Sequence, residues 1–83
     1  MKNKILLEVY LPASGKSFDV KVPRQLKIAQ VTTMLIDFLK KQDEEFIPGN
    51  DSVLCEVGTG KAFDSNAFIE MVGLHNGSRI MLI

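Results

Sequence analysis

The apolar period of this chain changes once in its first half, and that change limits what it can fold into. Over residues 4–11, Ile5, Leu7, Val9 and Leu11 alternate onto one face, with Leu6, Glu8 and Tyr10 on the other. That period of two marks a half-buried strand. Residues 12–16 hold Pro12 and Gly15 and read as a turn. Residues 17–22 then alternate again, with Phe18, Val20 and Val22 inward, so the two runs make a β-hairpin that Pro23 ends. From residue 27 to 42 the spacing becomes helical: Ile28, Val31, Leu35, Phe38 and Leu39 form one stripe. Lys40 and Lys41 complement the dipole in its last turn. No Ser, Thr, Asp or Asn stands where an N-cap is expected, so the start is poorly marked. One apolar helix stripe needs one sheet to lie on.

The second half supplies the rest of that sheet. Residues 43–51 read as an acidic loop with Pro48 and Gly49. A third strand is expected over 52–57, with Val53, Cys55 and Val57 on one face and Leu54 and Glu56 on the other. Residues 58–61 form a turn, and a short strand is expected at Ala62-Phe63. Asp64, Ser65 and Asn66 are good caps, so a short helical turn through Met71 is expected. Asn76-Gly77 is a strong turn signal, because both residues tolerate positive φ. The run from Arg79 to Ile83 follows, with Ile80 and Leu82 inward. A strand this late must insert beside strands already built, and its apolar character places it centrally, next to the first. The expectation is an α+β fold: a mixed sheet of four to five strands with one main helix packed across one face. Its 83 residues allow a single domain, 1–83.

Composition narrows the function. Zero net charge gives no whole-molecule attraction to nucleic acid. The charge is uneven along the chain: residues 1–42 carry eight Lys/Arg and three Asp/Glu (+5), and residues 43–83 carry two and seven (−5). That dipole suits head-to-tail self-association or steering of a partner, unless the charges are simply a solvated surface. One cysteine, Cys55, allows no internal disulfide or Cys-rich metal site and fits a reducing compartment. The start carries no signal-peptide core, and no apolar run approaches the ~20 residues that span a bilayer. A cytoplasmic protein with no direct membrane insertion is expected.

The residues assemble no catalytic set. Gly58-Thr59-Gly60-Lys61 falls short of a phosphate loop, because Cys55 and Ala62 occupy positions that need Gly and Ser/Thr. Cys55 sits at an apolar strand position far in sequence from His75, the sole histidine, and reads as a buried thiol. Asp43, Glu44 and Glu45 lack the spaced oxygens of a calcium loop. No enzyme activity, cofactor or metal site is expected. What remains is the sheet face turned away from the helix. Strand alternation puts Leu6, Leu54, Met81 and Ile83 there, rimmed by Glu8, Glu56 and Arg79, with Tyr10 at one end. Apolar residues converging on an open face mark a protein-interaction surface, against the bland reading of ordinary partial exposure.

Three segments resemble ubiquitin and the β-grasp family: Ser14-Gly15-Lys16-Ser17 at the first hairpin, Ile47-Pro48-Gly49-Asn50-Asp51 after the helix, and Leu74-His75-Asn76-Gly77-Ser78-Arg79-Ile80 before the last strand. Within that family the chain most resembles the bacterial YukD/EsaB type, accessory proteins of type VII secretion, in size, loop order and ending. The resemblance implies a non-enzymatic interaction module whose partners are proteins, secretion-machinery components among them. Conjugating relatives of this fold activate a flexible C-terminal Gly-Gly carboxylate. Here Ile83 ends a strand, so that donor chemistry is expected to be absent. A sulfur-carrier or modifier-type protein and a self-assembling homo-oligomer are the alternatives.

Overall fold

The computed structural model describes residues 3–46 and 52–83. The segment Ile47-Pro48-Gly49-Asn50-Asp51 lies outside the described residues. Four strands and one helix follow the order β1 (Lys4–Leu11), β2 (Lys16–Pro23), α1 (Ile28–Gln42), β3 (Leu54–Glu56) and β4 (Ser78–Leu82). The sheet order is β2-β1-β4-β3. β1 pairs with β2 antiparallel and with β4 parallel, and β3 pairs with β4 antiparallel. The last strand does insert centrally beside the first, and the sheet is mixed as expected.

The Asn76-Gly77 turn makes that insertion possible. The Asn76 side-chain Oδ1 accepts the Leu6 main-chain N–H at 2.7 Å, and the Gly77 N–H donates to the Leu6 carbonyl at 2.7 Å. Both Leu6 main-chain groups are thus satisfied before the ladder begins at Leu7↔Ser78. Gly77 has φ +91°, a conformation that costs glycine little. Asn76 itself keeps a negative φ, so the turn needs the left-handed region at the glycine alone.

The alternation read from the sequence sets the core. Ile5, Leu7, Val9 and Leu11 of β1 and Val20 and Val22 of β2 are buried against Ile28, Val31, Leu35 and Leu39 of α1. Ile80 and Leu82 of β4 join them. Phe18 and Phe38 are half-buried and meet edge to face with ring centroids 6.4 Å apart. Each fully buried side chain of this kind is worth about 1.5–3 kcal/mol.

The weakly marked start of α1 is resolved by a segment distant in sequence. The Gln30 side chain accepts the Lys27 N–H at 3.0 Å. The Ile28 N–H donates to the Ala67 carbonyl at 2.9 Å, and the Ala29 N–H to the Ser65 carbonyl at 3.0 Å. Main-chain carbonyls thus take helix donors that a side-chain cap would otherwise serve. This is also why residues 64–71 do not form the expected helical turn. They run as bends and turns, with the Ile69 N–H on the Leu26 carbonyl and Ile69 fully buried. The expected strand at Ala62-Phe63 is an isolated bridge between Ala62 and Cys55.

Two substitutions on one helix test this packing. Leu35→Ala should lower unfolding free energy by about 2–5 kcal/mol, since Leu35 is fully buried. Met34→Ala, at a side chain 40% exposed, should change it by about 0.5 kcal/mol or less. Urea midpoints measure both, and equal shifts would contradict the assigned helix face.

Candidate protein-interaction face

Directly opposed residues share a face, so the register defines the outer surface. β1 contributes Leu6, Glu8 and Tyr10. β4 contributes Arg79 opposite Glu8 and Met81 opposite Tyr10, and Cys55 of β3 lies opposite Met81. Beyond β4, the Ile83 N–H donates to the Val53 carbonyl at 3.1 Å and the Val53 N–H to the Ile83 carbonyl at 2.9 Å. Ile83 is 57% exposed and Val53 41%. Leu6, Tyr10 and Met81 are half-buried.

Two residues expected here lie elsewhere. Leu54 points inward, buried in the core and opposed to Leu82. Its face is set by the β3–β4 register: pairing Leu54 with Leu82 buries two leucines under α1 and turns Val53 and Cys55 outward. Glu56 lies opposite the buried Ile80, at the inner-face end of β3, and its carboxylate accepts the Thr59 hydroxyl at 3.3 Å. It belongs to the 58–61 turn, not to the rim of the outer face. That turn closes through Gly60 N–H to the Glu56 carbonyl and Glu56 N–H to the Lys61 carbonyl. It joins strand to bridge rather than strand to helix, so the phosphate-loop reading has no helix N-terminus to rest on.

Leu6, Glu8, Arg79, Met81 and Ile83 do share the outer face, but not as one patch. Glu8 and Arg79 form an ion pair through Oε2 and Nε across the two central strands. The pair separates Leu6 at one end from Tyr10, Met81, Ile83 and Val53 at the other. The charges divide the apolar surface where the sequence reading had them rim it. Val53 was missed because three alternating apolar residues, Val53, Cys55 and Val57, outvoted Leu54. No signal within residues 52–57 marks it, because the face is set by the register with β4, where Leu54 meets Leu82. Cys55 is buried, but beneath this outer face between Met81 and Ala62 rather than against α1.

Asp43, just after α1, is held by charge. Lys16 Nζ lies 3.0 Å from Asp43 Oδ2, and Asp43 Oδ1 accepts the Glu45 N–H at 3.0 Å. The Lys16 hydrogen bond, then that of the Glu45 N–H, hold the Asp43 carboxyl below its usual range. Hydrogen bonding to Asp43 raises the Lys16 pKa in turn. Among the described residues no group of three or more His, Cys, Asp or Glu side chains comes together as a metal site. Nor is any described helix long and apolar enough to cross a membrane.

A family model described as "WXG100 protein secretion system (Wss), protein YukD" matches residues 6–82. The chain belongs to the YukD family. Solved structures share its fold at low identity. The EccD5 ubiquitin-like domain from Mycobacterium xenopi matches with TM-score 0.81 and 14% identity, over 96% of this chain and 92% of that one. The ubiquitin-like domain of the Mycobacterium tuberculosis type VII secretion system protein ECCD1 matches with TM-score 0.77 and 10% identity, over 96% and 97%. A chain of the MycP5-free ESX-5 inner membrane complex matches with TM-score 0.81 and 15% identity, over 98% of this chain but 21% of that one. No curated protein matches the sequence. The fold of this YukD-family chain is therefore the ubiquitin-like β-grasp, α+β, as the sequence implied.

The Asp43 contact predicts a pH response. Its lowered carboxyl contributes stability above the unfolded carboxylate range, and that contribution is lost as pH falls through the Asp43 titration. Lys16→Met should move the Asp43 midpoint upward in an NMR titration. An unmoved midpoint would show that the pair does not form in solution.

Proposed function

We propose that this chain is a non-enzymatic ubiquitin-like docking module on the cytoplasmic side of a bacterial type VII (WXG100) secretion system. It binds a protein component of that machinery through the Tyr10, Met81, Ile83 and Val53 end of its outer sheet face. The observation that carries this reading is the placement of exposed Ile83 and Val53 beside half-buried Tyr10 and Met81, bounded by the Glu8–Arg79 pair. An apolar centre supplies burial, and a charged boundary supplies register. Family membership supports the setting, and the likeness to ESX ubiquitin-like domains supports a protein partner there.

The same geometry favours docking over thiol or imidazole chemistry. Ile83 is held in the sheet by two main-chain hydrogen bonds to Val53. Cys55 is buried, and the His75 ring Nδ1 lies 3.0 Å from the Asn76 carbonyl in its own turn.

Chromosomal Met81→Asp in the source bacterium should abolish export of WXG100 proteins while the variant accumulates at its normal level. Leu54 is unsuitable for this test, because a charge there would enter the core. Normal export from a strain carrying both Met81→Asp and Ile83→Asp would overturn the proposal.

A further inference from the structure

The two edges of the sheet differ. The β3 edge is covered, since the Glu56 N–H bonds to the Lys61 carbonyl and the Phe63 N–H to the Leu54 carbonyl. The β2 edge carries eight residues, and among the described residues no strand lies beyond it. Which main-chain groups it presents follows from β1. Leu6 directs its N–H and carbonyl toward the β4 side. By alternation Ile5, Leu7, Val9 and Leu11 turn theirs toward β2, where they face Val22, Val20, Phe18 and Lys16. Ser17, Asp19 and Lys21 therefore turn their N–H and carbonyl groups to the open edge, and all three residues are exposed. Pro23 falls in the same set, so its missing N–H costs the β1 ladder nothing.

The side chains on this edge add a constraint. Asp19 stands directly opposite Glu8, a like-charge pair that disfavours the sheet. Glu8 is compensated by Arg79, but Asp19 has no ion-pair partner among the described residues, and neither does Lys21.

We propose that the open β2 edge pairs with the β2 edge of a second copy of this chain, antiparallel, about a two-fold axis at Val20. Only odd-numbered residues present edge hydrogen bonds, which leaves three central registers. Centring on Asp19 opposes the two Asp19 carboxylates, and centring on Lys21 opposes the two ammonium groups. Centring on Val20 sets each Asp19 opposite Lys21 of the other copy, twice by symmetry. Asp19 and Lys21 then exchange main-chain hydrogen bonds, and each Ser17 N–H meets a Pro23 carbonyl. The charges that ordinarily blunt an exposed edge here select one self-complementary register. The result is a continuous eight-stranded sheet carrying both outer faces on one side, so the pair would dock bivalently.

The self-association differs from a simple attraction between the basic and acidic halves of the sequence. Lys16–Asp43, Arg24–Glu70 and Glu8–Arg79 each join one half to the other within the fold. The contact is small, which places it among weak, concentration-dependent dimers.

Sedimentation velocity of the full chain from micromolar to about millimolar concentration tests the pairing. Wild type should pass from monomer to dimer, with slowed amide exchange at Ser17, Asp19 and Lys21. Asp19→Lys and Lys21→Glu should each weaken the dimer about tenfold or more, by opposing like charges twice. An equimolar mixture of the two variants should restore it as a heterodimer, because every cross-edge pair is then opposite in charge. A wild type that stays monomeric throughout would overturn the proposal. So would variants that dimerise like wild type, or a mixture no tighter than its components.

Discussion

The parallel pairing of β1 with β4 is the contact on which the rest of the molecule depends. It joins the first strand to the last across nearly the whole sequence, so its loop-closure cost is met only when the sheet is complete. Asn76 and Gly77 carry that closure, because they satisfy both Leu6 main-chain groups at the point where the strands converge. Once the two strands are in register, alternation does the remaining work. Leu7, Val9, Ile80 and Leu82 go beneath α1, and Glu8, Tyr10, Arg79 and Met81 go to the opposite surface.

One register thus fixes both the core and the candidate docking face. The observed alignment sets the Glu8 and Arg79 side chains directly opposite on adjacent strands, where they pair. A two-residue slip would preserve the faces but lose this direct opposition and the Leu6 anchor. The outer face is therefore ordered by the same contact that stabilises the fold, without a separate scaffold.

Much of this was legible in the sequence because the signals were long. β1, β2 and β4 alternate cleanly, and the α1 stripe recurs over three turns, so element types and the inward residues follow from periodicity alone. β3 was misread because its ladder is three residues long. In so short a strand the face is decided by which residue meets Leu82, a fact about the partner strand. The segment 64–71 was misread for a related reason: cap residues signal a helix locally, but its carbonyls are used by the N-terminus of α1. The candidate face was half legible. Met81 and Ile83 follow from β4, whereas Val53 and the dividing role of Glu8 and Arg79 depend on cross-strand register.

A partner docked at the Tyr10–Met81 end of the outer sheet face would shield the residues there. The direct measurement is amide cross-saturation on the isotope-labelled chain mixed with the solubilised secretion complex of the same bacterium. Saturation is expected at Tyr10, Val53, Met81 and Ile83, with α1 unaffected. Saturation confined to the exposed side of α1, or absent from β4, would contradict docking there.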